Sequence, residues 1–286
     1  MVFIFASMLI GLNAQERVYN IYTSNGKKVS YKKMLKGVQE ANVVLFGEHH
    51  NNPVCHWLQY EFSKSLVESR DSKIIFGAEF FERDDQLIID EYISGDIGLK
   101  NFKKEVKLWD NFSTDYEPLL KLAKNLKVPF IATNIPRRYA SMVARKGIGA
   151  LRELPGQAKR LMMPLSLRVD TNLRSYKSML SLNMGHGMGM DPLNMVYAQA
   201  VKDATMAESI VRSSRQGYTF IHFNGSYHSD YHEGIAYYLG VYSVRNSIDL
   251  ITISTVEQDD IEKLKEENIG RADFIICIDE DFNKSY

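Results

Sequence analysis

Ionisable side chains that could bind a ligand or transfer protons follow directly after four apolar segments of the chain. The segments are NVVLFGEHH (residues 42–50), KIIFGAEFFER (73–83), PFIATNIPRR (129–138) and FIHFNGSYHSD (220–230). Each is typical of a buried β-strand, and the carboxyl ends of parallel strands meet at one sheet edge, where α/β folds bind their ligands. The pattern therefore predicts that this edge brings together Glu48, His49, Glu79, Arg137, Arg138 and His228.

The sequence allows several roles for the two carboxylates of this set, Glu48 and Glu79. Burying an unpaired charge costs several kcal/mol, so six ionisable residues at one edge are not expected as a requirement of folding. We therefore interpret the edge as a functional site. Glu48 and His49 could bind a metal, act as an acid–base pair or hydrogen-bond a polar ligand, whereas Glu48 could instead cap the next helix. Glu79 could accept hydrogen bonds from His49 or from an arginine, either within a ligand site or in a structural ion pair.

The two arginines follow Pro136, a residue that is favoured at the start of a helix, and they are therefore expected in the first helical turn. Two cations at this end oppose the helix dipole, which indicates that an anion compensates Arg137 and Arg138. An anionic ligand would serve, and so would Glu79. Because neighbouring helix residues point in different directions, one of the two arginines is expected to face solvent.

Several histidines lie close to these segments. His228 follows Gly225 in a loop that can aim the imidazole at the site, whereas His222 lies within a strand and is expected to be a satisfied core residue. His50 and His56 are expected on the surface or along the following helix. The sequence therefore favours His228 as the inward-facing histidine of this group, with an exposed helix start as the alternative.

One further segment, NMGHGMGMD (residues 183–191), places His186 among methionines and glycines. Thioether and imidazole groups suit Cu(I) or haem iron, and glycines allow a flat ligand to approach the backbone. The same composition also fits a helix–helix loop whose methionines fill gaps in the packing. His186 is therefore a candidate ligand of a metal or haem iron, and a packing loop between two helices is the alternative.

Composition limits the classes of partner. The chain has 286 residues, of which 45% are hydrophobic, enough to form the core of one large domain. Its 35 basic and 35 acidic residues give a net charge of +0, so it lacks the broad positive field that binding nucleic acid or an anionic membrane requires. Small molecules or proteins are the expected partners, and no nucleic acid is expected.

The first fifteen residues, MVFIFASMLIGLNAQ, are typical of a signal-peptide core followed by a small-residue cleavage site after Ala14. Export to the periplasm or cell envelope is therefore expected, with a mature chain from Gln15; a buried N-terminal strand or helix is the alternative. No Cys follows the run, so a lipobox is not expected. Export would permit a disulfide, but Cys55 and Cys277 lie in apolar elements, where free buried thiols are more common.

The elements that must position these residues alternate along the chain. Segments with apolar residues at helical spacing lie between the strand candidates, at residues 53–69, 84–93 and 115–127. Residues 136–216 contain no convincing strand and predict a helical insertion over the carboxyl edge. Strands resume at residues 218–223, 248–254 and 273–278. The sequence predicts one α/β domain over residues 15–286, with a mostly parallel β-sheet flanked by helices.

Motifs between residues 42 and 239 resemble those of the ChaN-like haem-binding family, within the erythromycin-esterase/ChaN/Tiki-like superfamily. The matching segments include GEHHNNPVCHWLQ, EFFERDDQ, ATNIPRR, AQAVKDATMAESI and NGSYHSDYHEG. The positions of the family's motifs correspond here to Gly47, Glu48, His50, Glu79, Asn134, Pro136, Arg137, Gly225 and His228. His49 lies in a more variable place, and Tyr227 beside His228 departs from the glycine-rich pattern of many members.

The resemblance implies an α/β haem-binding protein of haem or iron acquisition, working with an outer-membrane receptor or envelope transport system. Arg137 or Arg138 would neutralise the haem propionates. Other residues expected near the cofactor are Glu48, His49, His50, Glu79 and Asn134. The iron ligand stays open, and the candidates by chemistry are Tyr227, His228, His186 and Tyr176. A flat ligand on an exposed surface could be shared by two subunits, so a haem-linked homodimer is also expected.

The wider superfamily implies an alternative from a different class. In that alternative the chain is a hydrolase, and its edge residues hold a divalent metal or act as acid and base. The residues concerned are Glu48, His49 or His50, Glu79 and His228. The closer family resemblance and the predicted export favour a haem-binding or transport protein over an enzyme.

Overall fold

The computed structural model describes residues 18–69, 73–183, 191–243 and 247–286. The predicted signal peptide, residues 1–14, and the candidate ligand His186 lie outside these ranges. Within them, no helix combines the length and the hydropathy that crossing a bilayer requires.

The described chain forms an eight-stranded sheet with the order β2-β1-β8-β7-β3-β6-β4-β5. The strands are β1 (Tyr19–Thr23), β2 (Lys28–Val29), β3 (Val43–Glu48), β4 (Ile74–Glu82), β5 (Phe130–Asn134), β6 (Thr219–Gly225), β7 (Leu250–Gln258) and β8 (Phe274–Asp279). The six strands from β8 to β5 are parallel to one another, whereas β1 pairs antiparallel with both β8 and β2. This architecture confirms the predicted α/β fold class with a mostly parallel sheet.

Helices cover both faces of the sheet. They are α1 (Tyr31–Gly37), α2 (Pro53–Ser69), α3 (Gln86–Ser94), α4 (Leu99–Glu105), α5 (Glu117–Leu126), α6 (Arg137–Lys146), α7 (Gly156–Lys159), α8 (Arg174–Asn183), α9 (Pro192–Ser213) and α10 (Ile235–Tyr242). Helices α2 and α5 begin and end close to the predicted segments 53–69 and 115–127. The structure adds α1, α4 and α10, which the spacing of apolar residues does not predict.

Alternate side chains of the central strands enter two separate cores. Val44 and Phe46 of β3 pack with helices α1 to α5, whereas Val43 and Leu45 pack with helices α6, α8, α9 and α10. Successive strand residues point to opposite faces, so a strand that is apolar at every position is buried on both sides. This two-sided burial leaves the carboxyl ends of the strands as the place where polar side chains can gather.

The predicted helical insertion, residues 136–216, contains helices α6 to α9 and no strand among its described residues. Its longest helix, α9, packs against β5, α6 and α10. The Ser209 hydroxyl on α9 donates a hydrogen bond to the Thr133 carbonyl of β5, at 2.9 Å. Asp203, six residues earlier on the same helix, contacts His228 beyond the end of β6. Helix α9 therefore brings polar side chains of the insertion to the carboxyl edge.

Candidate functional site

Glu48 is the last residue of β3 and lies opposite Gly225 of β6. The preceding Gly47 has no room for a side chain, because a Cβ atom there would lie 2.9 Å from the Ser226 Cα atom. This close approach of the backbones holds the Glu48 carboxylate in the interior, where three side chains donate to it. They are the hydroxyl of Tyr116 at 2.7 Å, the amide of Gln59 at 2.5 Å and Nδ1 of His50 at 3.0 Å.

The charge of Glu48 is stabilised by its neighbours. Burial alone would raise its pKa, but His56, His50 and the Tyr116 hydroxyl outweigh burial and hold the pKa below its ordinary value. His56 lies 3.7 Å from Glu48 on one side and 3.7 Å from Asp115 on the other. Glu48 is thus an ionised carboxylate in a buried network of imidazole, phenol and amide groups.

His228 lies between two carboxylates just beyond β6. Its Nε2 atom is 3.0 Å from Glu79, at the bulge of β4, and its Nδ1 atom bonds to Asp203 of α9. Glu79 also accepts the backbone N–H of Gly225 at 2.8 Å, and Asp203 accepts the Tyr176 hydroxyl at 2.7 Å. Residues from two strands, one loop and two helices therefore form a second buried cluster.

The charge of His228 follows from this geometry. Burial lowers its pKa, but the charges of Glu79 and Asp203 outweigh burial and raise the pKa to about 10. The pKa of Glu79 is in turn held well below its usual range by His228, against the opposing effect of burial. His228 is therefore an imidazolium that donates from both ring nitrogens, and it has no free nitrogen for an iron atom.

His50 lies between the two clusters and is more exposed than His56 or His228, with 37% of its side chain accessible. Its Nδ1 atom bonds to Glu48, and its Nε2 atom forms no hydrogen bond with the described residues. A Cβ atom at Gly225 would lie 2.7 Å from this Nε2 atom, so any side chain there would displace the His50 ring. Burial lowers the pKa of His50, but Glu48 and Glu79 raise it overall. We call Glu48, His50, Glu79 and His228 the polar edge.

Both arginines were predicted to converge with Glu79, and the structure corrects this. Arg137 pairs with Glu82, and Arg138 pairs with Asp84 at 2.5 Å. The physical reason is that β4 continues past Glu79 to Glu82, which places nearer carboxylates beside the start of α6. The expected compensation of the helix dipole is present, but other acidic residues supply it.

His49 was also expected at the edge, but its imidazole lies near Glu257 and Lys284 and away from Glu48. Its pKa is lowered by burial, against the charge of Glu257, and Lys284 of the C-terminal segment also lowers it. Adjacent residues of an extended chain face opposite ways, so the turn after β3 cannot bring both His49 and Glu48 inward. Asn134 is at the edge, where its amide donates to the Glu79 carbonyl at 3.0 Å and holds the β4 backbone.

Of the candidate iron ligands, Tyr176 and His228 are buried and fully engaged with Asp203. Tyr227 is 40% exposed, and its hydroxyl donates to the Ser175 carbonyl. Among the candidates in the described ranges, Tyr227 is therefore the accessible one. The role of His186 stays a prediction.

The buried network contains residues beyond the predicted set, and His56, Asp115 and Asp203 are the ionisable ones. His56 was expected on the surface or along α2, and it lies on the helix but is buried against Glu48. Asp115 and Asp203 were not considered. A signal for Asp203 exists in AQAVKDATMAESI, because helical spacing places it on the same buried face as Ala200 and Ala207. A charged residue on an apolar helix face indicates a buried partner.

The metal alternative finds no support in the geometry. Across the residues that the structure describes, no group of three or more His, Cys, Asp or Glu side chains is arranged to hold a metal ion. The carboxylates of Glu48 and Glu79 are directed at imidazole, phenol, amide and backbone donors instead. The carboxylates of the polar edge are therefore engaged in hydrogen bonds and ion pairs within the protein.

Solved structures with the same fold include one described as cofacial haem binding to ChaN of Campylobacter jejuni. It has a TM-score of 0.69 and 19% identity, and the match covers 90% of this chain and 96% of that chain. A Bacillus cereus protein has a TM-score of 0.49 and 12% identity, covering 90% of this chain and 93% of its own. An erythromycin esterase, EreC H289N in its open conformation, has a TM-score of 0.48 and 13% identity, with coverages of 83% and 77%.

No curated protein is significantly similar to this chain in sequence. A family model described as haem-binding uptake, Tiki superfamily, ChaN matches residues 34–239, which include all four residues of the polar edge. The predicted resemblance over residues 42–239 is confirmed by this match. The chain belongs to the ChaN family of haem-binding uptake proteins.

Proposed function

We propose that this chain is an exported haem-binding protein that takes part in haem or iron acquisition at the bacterial cell envelope. The family match over residues 34–239 is the observation that carries the proposal. The shared fold with the Campylobacter jejuni protein, whose structure is described as binding haem cofacially, supports the same ligand. The apolar run in residues 1–14 supports export.

The described residues fit this ligand in part. Haem has an apolar macrocycle, two carboxylates and an iron that accepts oxygen, nitrogen or sulfur ligands. Tyr227 is exposed and could reach such a ligand, and Arg137 and Arg138 could attract propionates although each already has an acidic partner. The buried members of the polar edge are satisfied by one another, so they are positioned to support a binding surface.

Hemin titration of the mature chain, residues 15–286, tests haem binding directly. We expect a saturable Soret shift, because family members are described as haem-binding. Tyr227→Phe and His186→Ala test the two side chains that the sequence offers for the iron, with Tyr237→Phe as a control tyrosine. The absence of a saturable shift in the unmodified protein would exclude haem as its ligand.

A haem-linked homodimer and delivery from an outer-membrane receptor or envelope transport system belong to the same proposal. A ligand bound between two copies must change the mass of the particle. Light scattering during the titration should therefore show a doubling of mass that follows haem occupancy, and a constant mass would exclude the haem-linked dimer. Export is tested by the N-terminal sequence of the secreted chain, which should begin at Gln15.

A second candidate function is acid–base hydrolysis without a metal, and one observation favours it. The Glu48 carboxylate orients His50 through Nδ1 and leaves the more exposed Nε2 atom without a protein partner. An imidazole held in this way can take a proton from water. If hydrolysis of a test ester occurs, Glu48→Gln should lower its rate by about 100-fold or more. A rate unaffected by this substitution would exclude the candidate.

A further inference from the structure

Arg83 follows the last residue of β4 and places a buried guanidinium beside helix α9. Its Nε atom donates to the Ser209 hydroxyl at 2.8 Å, and its Nη2 atom donates to the Thr205 carbonyl at 2.9 Å and to the Glu208 carboxylate. Its Nη1 atom is also buried but forms no hydrogen bond with the described residues. Burying a charged donor without an acceptor costs free energy, so an acceptor is missing at this position.

Glu208 also lines an open pocket of about 500 Å³ between residues 159–165 and α9. Residues 162–165, MMPL, give the pocket an apolar wall. Three cations line it as well, Lys159, Arg160 and Arg212. Glu208 is the one acidic residue among the described residues that line it. We call this feature the Arg212 pocket.

The cations of the Arg212 pocket exceed its anions. Arg212 lies four residues after Glu208 on α9, a spacing at which opposite charges usually pair. Glu208 is paired with Arg83 instead. Lys159, Arg160 and Arg212 form no salt bridge within the part of the chain that the structure describes. Burial and the charge of Arg212 lower the pKa of Arg83, against the charge of Glu208. With Arg83, four positive charges therefore share one negative charge, and three remain unbalanced.

A hydroxyl beside the same ion pair also lacks a partner. The Tyr242 oxygen at the end of α10 is buried and forms no hydrogen bond with the described residues. Burial and the charge of Glu208 raise the pKa of Tyr242 to about 12, against the charge of Arg83, so the hydroxyl lies near this pair. Native proteins seldom leave buried polar groups without hydrogen-bond partners. An oxyanion bound beside Glu208 could accept hydrogen bonds from both groups.

We propose that the Arg212 pocket binds a phosphate group, either of free phosphate or of a phosphate ester. A phosphate group carries about −1.5 to −2 charges near pH 7, so it balances more of the positive excess than a single carboxylate does. Guanidinium groups match phosphate oxygens with two parallel hydrogen bonds. The apolar wall at residues 162–165 can pack against the carbon atoms of an ester. The proposal is independent of haem binding, since no residue of the polar edge lines this pocket.

Isothermal titration calorimetry of the mature chain with inorganic phosphate tests the proposal. Arg212→Gln should weaken binding about tenfold, because it removes a charge-assisted donor. Glu208→Gln should strengthen binding about threefold or more, because it removes the carboxylate that repels phosphate and occupies Arg83. Lys100→Gln is the matched control and should leave binding unchanged. It also removes one exposed positive charge, but from α4, on the opposite face of the sheet.

Phenyl phosphate and acetate distinguish the classes of ligand. If Arg212→Gln weakens the binding of both phosphates, the pocket is supported; tighter binding of phenyl phosphate then indicates an ester, and equal or weaker binding indicates free phosphate. Acetate that binds as tightly as phosphate overturns the proposal. So does the absence of saturable heat at about 10 mM phosphate, or an equal effect of Arg212→Gln and Lys100→Gln.

Urea unfolding of each variant checks that it is folded. Glu208→Gln leaves the buried Arg83 without its carboxylate partner and is expected to be less stable. If Glu208→Gln does not fold, the comparison of Arg212→Gln with Lys100→Gln decides the proposal, since both of these side chains are exposed. If Glu208→Gln folds and binds phosphate more weakly than the unmodified protein, the proposal is overturned.

Discussion

At the scale of single residues, His228 determines the charge balance of the polar edge. Its imidazolium separates two buried carboxylates, Glu79 and Asp203, that would otherwise face each other in the interior. A buried charge that loses its partner is strongly destabilising, because no water replaces the lost interaction. The same argument does not apply to the exposed neighbour Tyr227.

We therefore expect His228→Gln to lower the free energy of unfolding by about 3 to 5 kcal/mol. Urea unfolding of the mature chain measures this change. Tyr227→Phe is the matched control and should cost less than about 1 kcal/mol, because it loses one hydrogen bond at a half-exposed site. A loss below about 1 kcal/mol in His228→Gln would mean that the imidazole is not charged in the folded protein.

The pH dependence of stability follows from the same residue. Its pKa is raised from the ordinary 6.5 to about 10, so between these values the folded protein binds a proton that the unfolded chain has lost. The contribution of His228 is thus complete below pH 6.5 and disappears as pH rises through about 10. The difference in unfolding free energy between wild type and His228→Gln should shrink steadily over this window. A difference that grows with pH would contradict the assigned sign.

At the scale of elements, the path of β4 depends on Gly77. A Cβ atom there would lie 2.5 Å from the Phe220 ring of β6 and 2.9 Å from the Thr133 methyl group of β5. Strand β4 lies between β6 and β5 in the sheet, and it carries Glu79 two residues later. The absence of a side chain at Gly77 is therefore part of what allows the polar edge to form.

Gly77→Ala should destabilise the protein by about 1 to 3 kcal/mol, because overpacking a dense core forces its neighbours to shift. Gly98→Ala is the matched control, since nothing lies within 4 Å of a Cβ atom at that position. Thermal and urea unfolding of the two variants would make the comparison. Equal stability of both would show that Phe220 can move aside without cost.

At the scale of the whole molecule, the two cysteines are separated by the architecture. Cys55 lies in the core that α2 shares with the sheet, whereas Cys277 of β8 belongs to a small cluster with Tyr22 and Val256. Both are free and buried, as the apolar character of their elements predicted. Burial raises the pKa of each thiol to about 12.

Neither thiol should react with a thiol-specific reagent in the folded protein at pH 8, because the thiolate is the reactive form and both groups are inaccessible. After unfolding in urea without a reductant, two thiols should react. Two reactive thiols in the native protein would contradict their burial, and none in the unfolded chain would reveal a disulfide.

Much of the architecture could be predicted because local patterns and burial agree. The strands β3, β4, β5 and β6 are apolar runs that end in polar residues, and α2 has helical spacing along its length. The β1–β2 hairpin could not be predicted, because YNIYT and KV are short and partly polar. Its position is decided by pairing with β8 at the other end of the chain.

The candidate site could also be predicted only in part. The order of strands and polar residues determined that Glu48, Glu79 and His228 lie at one edge, since parallel strands must end together. Only the tertiary structure decided which partners each group has. Arg137 pairs with Glu82 and not with Glu79, and His228 pairs with Asp203, which lies 25 residues earlier in the chain on α9. Pairing between distant elements depends on distances across the folded molecule, and neither periodicity nor spacing along the chain contains those distances.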